Sequence, residues 1–260
     1  MISIIISTYK PDNFKAVSKS IAETIGTEYE IIGIENHLQY SICEAYNKGC
    51  IEAKFPYICF MHDDIVFYSQ GWGKRLISLL ENDITIGLVG IAGSKFKSTY
   101  PNTGWGNGPY LKKFNRGCLF TDISQKEPVD FDIRTYKTQI DDVVVLDGLF
   151  LFTRKSIADR YKFDEKLLNH FHAYDADFSL QIFFAGYRVI IDRSISLIHY
   201  SKGVFAKDFA FENTKVVNKW KSKLPVASRD LDLNIIKLHY YNIKCWSGYI
   251  QNWIIRKISF

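Results

Sequence analysis

The sequence predicts an α/β fold in which helices flank a mostly parallel, twisted sheet. Two observations lead to this prediction. Apolar β-branched segments alternate with segments of helical periodicity from Ile2 to Met61, and such alternation gives parallel strands joined by right-handed crossovers. The 260 residues are 47% hydrophobic and 23% charged, which excludes a disordered chain and provides enough apolar side chains for a large core.

The first strand and helix have recognisable ends. Residues Ile2–Ser7 form a β-branched run that predicts a buried strand. The loop that follows ends at Asp12, a residue type that caps helices. Gly26 is placed to end the helix. Between them, apolar residues recur at helical spacing: Phe14, Val17, Ile21 and Ile25.

The next elements repeat this pattern. Residues Tyr29–Ile34 predict a second strand, and Ser41 with Glu44 forms a capping box at the start of a second helix. Residues Tyr57–Met61 predict a third strand, which runs out into His62-Asp63-Asp64. Because ligands bind beyond the carboxyl ends of parallel strands, the loops at residues 8–10, 35–36 and 62–64 are expected to line one cleft.

The remaining segments are less regular. Residues 95–142 contain a dense run of turn-forming residues and predict a long loop. Strands are predicted at Val143–Leu146, Leu149–Thr153, Tyr187–Ile191 and Ser196–Tyr200, and a short helix precedes Gly186. Neither a GxGxxG nor a GxxxxGK[ST] pattern follows the first strand, so a phosphate ligand would need a metal or side chains to neutralise it.

The acidic pair at the end of the third strand suggests a cation site. Asp63 and Asp64 next to His62 would repel each other unless a divalent cation or solvent offset their charge, and Mg²⁺ or Mn²⁺ bridging to a diphosphate is one interpretation. The alternative is that the pair only caps the following segment. His199 ends a strand, where a structural role is common; as a partner for Asp64 it would suit Mn²⁺.

A second acidic pair lies before the short helix. If Asp177 serves the exposed N–H groups at the helix start, Asp175 is free to face the cleft as a general base. The alternative, favoured by composition alone, is that both are helix-start acids. For His170 and His172 the spacing favours solvated or hydrogen-bonded structural roles over metal binding.

The charge divides the chain into two parts. The segment 204–260 holds 10 Lys and Arg against 4 Asp and Glu, a charge of +6, whereas the segment 1–203 carries 23 against 24, a charge of −1. We therefore expect a near-neutral α/β domain at 1–203, which holds all the candidate site residues, and a basic, aromatic, mainly helical extension at 204–260. Within it, Trp246, Tyr249, Ile250 and Trp253 follow helical spacing, which indicates either an interfacial helix on anionic lipid or a helix packed on the domain.

The five cysteines are odd in number, scattered and form no CxxC pair, so the sequence suggests neither a disulfide framework nor a zinc knuckle and fits a reducing compartment best. The first apolar run ends at Ser7, too early for a signal peptide, and no segment has the length of a membrane span. We expect a cytoplasmic protein, with peripheral membrane contact as a hypothesis. Nucleic-acid binding is not expected, because no recognition motif is present.

Several motifs, taken together and in order, resemble the GT-A-fold glycosyltransferases of the family-2 type. The resemblance covers about residues 1–203. It is carried by Ile2–Lys10, Ser41–Gly49, Phe60–Asp64, Asp147–Leu151, Phe163–Glu165, Tyr174–Phe178, Gly186–Val189 and His199.

The resemblance implies a Rossmann-like GT-A sheet and an inverting transfer of a sugar from a nucleotide diphosphate donor, often UDP, to a hydroxyl of a glycan or lipid-linked acceptor. It also implies a place in surface polysaccharide or glycoconjugate synthesis. The residues that would act are Thr8, Tyr9, Glu35 and Asp63 in donor binding, Asp64 and His199 as ligands of Mn²⁺ or Mg²⁺, Asp175 as base, and Asp147, Gly148 and His172 on the acceptor side.

This chain departs from the family pattern at four positions. His62 stands at the first Asp of the Asp-x-Asp motif, Tyr174 where Glu is frequent, Tyr46 where Arg is frequent, and Glu35 where Asp is usual. A variant subgroup with its own donor preference explains this best, because Asp64, Asp175 and His199 remain. The alternatives are a degenerate, non-catalytic partner subunit, and a nucleotidyltransferase, which would be expected to carry a Gly-rich loop after the first strand.

Overall fold

A seven-stranded mixed sheet carries the candidate site. The computed structural model describes residues 1–102, 115–117, 139–200 and 207–258, with the backbone alone for 115–117, 207 and 248–258. The strands are β1 (Ile2–Thr8), β2 (Tyr29–Glu35), β3 (Tyr57–Met61), β4 (Ile65–Phe67), β5 (Ile86–Gly90), β6 (Ala92–Ser94), β7 (Phe96–Lys97), β8 (Asn115–Gly117), β9 (Ile140–Val143), β10 (Val145–Leu146), β11 (Phe150–Arg154), β12 (Arg188–Asp192), β13 (Leu197–His199) and β14 (Val226–Ala227). The helices are α1 (Pro11–Thr24), α2 (Ile42–Glu52), α3 (Trp72–Asn82), α4 (Lys155–Arg160), α5 (Tyr174–Phe184), α6 (Lys207–Trp220) and α7 (Ile235–Ile258).

The order of strands in the main sheet is β2-β1-β3-β11-β5-β12-β9. Strands β2, β1, β3, β5 and β12 run in one direction, whereas β11 and β9 run against their neighbours. The predicted mostly parallel sheet is confirmed. The reversal of β11 brings its amino end beside the carboxyl end of β3, where the His62 N–H donates to the Leu149 carbonyl at 3.1 Å.

Both faces of this sheet are covered, as a strand with continuous apolar sequence requires. Alternate residues of β1 point to opposite faces: Ile5 packs with α2 and α5, while Ile4 and Ile6 pack with α1 and α3. The sheet is thus a rigid layer at the centre of the core, and the loops at its edge are held by strands that are buried on both sides.

The first three strands and two helices lie where the sequence predicts them, with small differences. Helix α1 begins at Pro11 after Lys10, so Asp12 lies in its first turn rather than at the cap. Gly26 follows the helix with φ +71°, and the capping box of Ser41 and Glu44 is present. These boundaries follow from local chemistry, because Pro fixes φ at the first helical position and Gly tolerates a positive φ.

Two predictions in the second half are wrong in part. The segment 95–142 is not a continuous loop, because β7, β8 and the start of β9 lie within it; residues 103–114 and 118–138 lie outside the described part of the chain. The helix predicted after Asp177 begins earlier, at Tyr174, because Ala173 adopts φ +63° and turns the chain into α5. Asp177 therefore lies in the first turn of the helix rather than at its cap, and Asp175 lies in the same turn, as the alternative that both are helix-start acids predicts.

The C-terminal helices pack on the sheet domain by selected faces. On α6, Val216 is buried and the Trp220 ring lies 5.1 Å from that of Phe184. On α7, Leu238, Tyr241 and Cys245 cluster with Phe96. The predicted division after residue 203 falls in a segment, 201–206, outside the described residues, and it stays a prediction. No helix in the described ranges combines the length and apolar character needed to span a membrane.

Candidate active site

The candidate site lies where several strand ends meet. β1 pairs with both β2 and β3, so the polar residues that follow all three strands lie side by side. β13 pairs antiparallel with β4 and brings His199 opposite Ile65, next to Asp64. A backbone hydrogen bond of 2.9 Å from the Tyr200 N–H to the Asp64 carbonyl fixes this junction. Residues that are distant in sequence therefore meet at the end of β3.

Two imidazoles and one carboxylate form a polar cluster at the end of β3. Asp64 Oδ1 lies 3.1 Å from His199 Nε2 and 3.9 Å from His62 Nδ1, and the two ring nitrogens are 3.4 Å apart. Among the described residues, this is the one group of three His, Cys, Asp or Glu side chains placed to hold a metal ion. Asp64 Oδ1 is buried and meets no donor in hydrogen-bond geometry, although a buried carboxylate oxygen ordinarily has one. That orphaned oxygen fits a cation ligand.

The charges of this cluster depend on one another. Burial opposes ionisation of Asp64, but the adjacent His199 and His62 imidazoles outweigh it and lower the pKa of the carboxyl. Burial likewise opposes the charged form of His199, while the Asp64 carboxylate raises its pKa above the usual value. For His62, burial and the neighbouring His199 lower the pKa, which leaves a neutral imidazole with a free lone pair at neutral pH.

Tyr174 connects this cluster to the rest of the site. Its hydroxyl lies 2.9 Å from His62 Nε2, and its ring packs edge-on against Tyr46 at 5.8 Å. Tyr46, another of the four departures from the family pattern, is fully buried and donates to the Met61 carbonyl at 3.3 Å, so it fills the core. The Tyr174 hydroxyl occupies the space over Gly148, where an added Cβ would lie 2.2 Å from it.

Asp175 lies in the first turn of α5 and is buried. Its carboxylate accepts hydrogen bonds from the N–H groups of Gly148, at 3.0 Å, and Ala176, at 2.8 Å. Burial, reinforced by the Asp147 carboxylate, raises the pKa of Asp175 to about 7, although those N–H groups stabilise the charged form. A carboxylate with such a pKa can accept a proton near neutral pH.

The predicted acceptor-side residues are not all together. Asp147 and Gly148 lie in the turn before β11, where Asp147 Oδ1 accepts from the Leu149 N–H at 3.0 Å. His172 lies two residues before the start of α5, with its ring 5.4 Å from that of Phe209 on α6. No described contact joins His172 to Asp147 or Gly148.

The predicted donor-side residues lie at the carboxyl ends of β1, β2 and β3. The Thr8 hydroxyl donates to Asp63 Oδ2 at 2.6 Å, and the Asn13 amide lies 3.4 Å from Asp63 Oδ1. Tyr9 is 56% exposed, and Glu35 is exposed and bonded to His37 at 2.9 Å. Asp63 thus braces the first loop, while Tyr9 and Glu35 remain accessible.

Asp177 has a structural role that the sequence did not reveal. Its carboxylate accepts from the Trp220 indole at 2.7 Å and from Lys219 at 2.8 Å. Both donors lie at the end of α6, so they tie the extension to the helix that bears Asp175. No pattern near Asp177 in the sequence predicts these partners, because Lys219 and Trp220 belong to a different helix much later in the chain.

Lys97 is a second residue that spacing does not reveal. It is fully buried, and its ammonium donates to the carbonyls of Ser98 and Tyr100, each at 3.3 Å. Burial lowers the pKa of Lys97 to about 7, with the nearby Cys245 and Asp175 offsetting only part of the effect.

Comparisons with known proteins agree with this architecture. The sequence pattern of a family described as "Glycosyltransferase like family" matches residues 3–220. The crystal structure of GalNAc-T7 with UDP, GalNAc and Mn²⁺ is similar with a TM-score of 0.60 and 10% identity, over 85% of this chain and 49% of that chain. S. aureus TarS 1–349 in complex with UDP is similar with a TM-score of 0.52 and 12% identity, over 94% of this chain and 70% of that one.

These structural matches show the fold alone and confirm the predicted class. The chain spans about half the length of the GalNAc-T7 chain. A search of curated protein sequences finds no match.

Proposed function

The chain belongs to the glycosyltransferase-like family, and from that premise we propose that it transfers a sugar, with inversion, from a nucleotide diphosphate sugar to a hydroxyl acceptor. UDP-sugars are the first donors to test, since the GalNAc-T7 and TarS structures contain UDP. One observation carries the proposal: the buried Asp175, with a pKa near 7, lies next in sequence to the residue that contacts the His62–Asp64–His199 cluster.

The chemistry assigned to Asp175 is that of a general base. In a single displacement, the acceptor oxygen forms a bond to the anomeric carbon as the bond from that carbon to the diphosphate oxygen breaks. The acceptor proton passes to Asp175, and the leaving group departs as the nucleoside diphosphate. Attack from the face opposite the leaving group inverts the anomeric configuration. The Gly148 N–H, bonded to Asp175 at 3.0 Å, holds the carboxylate in place for this transfer.

Asp64 and His199 would hold a divalent cation, Mn²⁺ or Mg²⁺, with His62 beside them. The orphaned Asp64 oxygen and the closeness of the three candidate ligand atoms support this assignment. When bound, such an ion supplies positive charge that stabilises the leaving diphosphate. Without an ion, the Asp63 and Asp64 carboxylates of this edge would repel an anionic donor.

Thr8, Tyr9, Glu35 and Asp63 would form the donor side. Exposed Tyr9 can stack on a base, and exposed Glu35 can accept hydrogen bonds from ribose or base. The hydrogen bond from Thr8 to Asp63 at 2.6 Å links this loop to the cation cluster through the backbone of residues 63–64. Asp147, Gly148 and His172 would serve the acceptor, a glycan or a lipid-linked hydroxyl in cytoplasmic synthesis of surface polysaccharide or glycoconjugate.

The extension supports a peripheral contact with anionic lipid. While one face of α7 packs on Phe96, the other exposes Ile236 (76%), Tyr240 (51%) and Ile243 (65%). The helix sequence contains no Asp or Glu and four cationic residues: Lys237, Lys244, Arg256 and Lys257. An apolar face on a cationic helix suits an anionic membrane surface.

Vesicle flotation tests this contact. Phosphatidylglycerol vesicles should retain the chain at low salt, and phosphatidylcholine vesicles should not. Ile236→Ser with Ile243→Ser should abolish retention, whereas Ile84→Ser, a control at a site 78% exposed on the sheet domain, should leave it unchanged. Lipid contact would be contradicted if phosphatidylglycerol vesicles retained all variants equally. It would also be contradicted if the unaltered chain self-associated and the α7 substitutions removed that self-association, because the exposed face would then bind a second copy of the chain.

A donor panel tests the catalytic proposal. Thermal shifts and donor hydrolysis are measured for nucleotide sugars with Mn²⁺, Mg²⁺ or EDTA. We expect a metal-dependent response to one donor class, and Asp175→Asn should lose turnover while keeping donor binding. Binding without turnover in the unaltered chain would favour the non-catalytic partner subunit, and release of inorganic diphosphate from a nucleoside triphosphate would favour the nucleotidyltransferase.

A further inference from the structure

Two of the four departures from the family pattern, His62 and Tyr174, touch each other. His62 Nε2 and the Tyr174 hydroxyl are 2.9 Å apart, although the residues are 112 positions apart in sequence. A hydrogen bond in which Nε2–H donates to the phenol oxygen leaves the Nδ1 lone pair free. That nitrogen faces Asp64 and His199, at 3.9 and 3.4 Å.

These separations match the spacing of ligands around one ion. With bonds of about 2.1 Å, neighbouring ligand atoms lie about 3.0 Å apart in an octahedral site and about 3.4 Å apart in a tetrahedral one. The three distances among His62, Asp64 and His199 are 3.1, 3.4 and 3.9 Å. Only small rotations would bring all three atoms to one centre.

We propose that His62 is the third ligand of this site, held in place by Tyr174 as a positioning residue, and that the site therefore prefers a first-row transition ion such as Mn²⁺ to Mg²⁺. This proposal rests on the proposed function, which assigns a cation to the site, and goes further by stating which ion the site prefers. Two imidazole nitrogens and one carboxylate favour transition ions, whereas Mg²⁺ prefers oxygen ligands and retains its waters.

The surroundings of Tyr174 keep its hydroxyl in one place. The side chain is buried, with Tyr46 and Phe163 against its ring at 5.8 and 6.0 Å. Below the hydroxyl, Gly148 leaves space that any side chain would fill. A partner fixed in this way orients a ligating imidazole, and loss of such partners typically lowers metal affinity 10–100-fold.

Direct metal binding tests the proposal without turnover. Calorimetry on the full chain, with Mn²⁺ or Mg²⁺ and no donor, compares the unaltered protein with His62→Gln, Tyr174→Phe and the control Tyr57→Phe. Tyr57 also loses a hydroxyl hydrogen bond, to Glu81 at 3.2 Å, but it lies at the opposite end of β3.

We expect Mn²⁺ to bind more tightly than Mg²⁺, and Tyr174→Phe and His62→Gln to weaken Mn²⁺ binding about 10–100-fold. Mg²⁺ binding should change little, and Tyr57→Phe should match the unaltered chain. Pulsed electron paramagnetic resonance of bound Mn²⁺ should show two coupled imidazole nitrogens, and one in His62→Gln.

Three results would overturn the inference. They are Mg²⁺ binding as tight as Mn²⁺, a single coupled nitrogen in the unaltered chain, or Tyr174→Phe within twofold of the unaltered affinity with its fold intact by circular dichroism. Failure of the proposed function looks different, because then neither ion binds the unaltered chain, with or without UDP.

Discussion

Gly148→Ala is the substitution that tests the connection between the two halves of the site. The new Cβ would lie 2.2 Å from the Tyr174 hydroxyl and 2.5 Å from its Cζ, whereas ordinary contacts begin at 3.4 Å. The phenol must therefore move by about 1 Å to relieve the overlap, as overpacked side chains do. Because Ala keeps the backbone N–H, the hydrogen bond to Asp175 can persist, and the perturbation acts mainly through Tyr174.

The expected cost follows from that displacement. A shift of about 1 Å breaks the 2.9 Å contact to His62, and misplacement on this scale lowers turnover about 100-fold, or about 2.7 kcal/mol of transition-state stabilisation. Separately, the overpacking should lower the free energy of unfolding by about 1–3 kcal/mol.

The assay is kcat/KM with the donor found in the panel, together with Mn²⁺ affinity and urea unfolding of the same preparation. Tyr174→Phe with Gly148→Ala completes a double-mutant cycle, and the two effects on Mn²⁺ affinity should be less than additive, since both act on one hydrogen bond. If Gly148→Ala folds and retains both the turnover and the Mn²⁺ affinity of the unaltered chain, the reasoning about Tyr174 is refuted.

Four further predictions concern titration and packing. Because burial raises the pKa of Asp175 to about 7, turnover should increase with pH through about 7 and then level off, as measured by a kcat profile; a flat profile from pH 5 to 9 would argue against Asp175 as base. The same shift affects stability, because between about pH 4, near the ordinary pKa of an Asp carboxyl, and about pH 7 folded Asp175 holds a proton that the unfolded chain has released. The free energy of unfolding should therefore fall as pH rises from about 4 to 7. Asp175→Asn should lessen this dependence on pH in urea titrations. Burial lowers the pKa of Lys97 to about 7, so between about pH 7 and 10.5 the unfolded chain holds a proton that the folded chain has lost. The free energy of unfolding should therefore rise with pH over that range. Lys97→Met should stabilise the fold more, or destabilise it less, at pH 6 than at pH 10. Trp220→Phe keeps the ring against Phe184 but removes the donor to buried Asp177, and should cost about 1–3 kcal/mol in chemical unfolding, whereas Trp246→Phe, which loses a partly exposed bond to Thr99, should cost less.

The first half of the fold could be predicted because its signals are local. Ile2–Ser7, Gly26 and the capping box of Ser41 define their elements through neighbours in sequence, and the structure agrees closely with the predicted bounds. The direction of β11 could not be predicted, because an apolar run such as Leu149–Thr153 has the same pattern in either direction. The helix start was placed too late because the positive φ of Ala173 has no sequence signal.

The site was predictable to the extent that residue types imply chemistry. Asp64 and His199 were paired by ligand preference, and the structure places them 3.1 Å apart. Contacts between side chains on different elements could not be predicted from the sequence. The meeting of His62 with Tyr174, and of Asp177 with Trp220, depends on strand order and helix packing between segments that are far apart in the chain.

Because β11 runs against β3, the two sides of the site come from different segments of the chain. The proposed donor side comes from one continuous stretch, residues 2–64. The turn that holds Asp147 and Gly148 precedes a strand that runs the opposite way and is joined to β3 by a ladder of backbone hydrogen bonds. Backbone ladders do not depend on side-chain identity. The two sides can therefore differ in sequence as long as position 148 stays glycine beneath the Tyr174 hydroxyl, so we expect exchange of Asp147 and Leu149 to affect the proposed acceptor side while residues 2–64 keep their sequence.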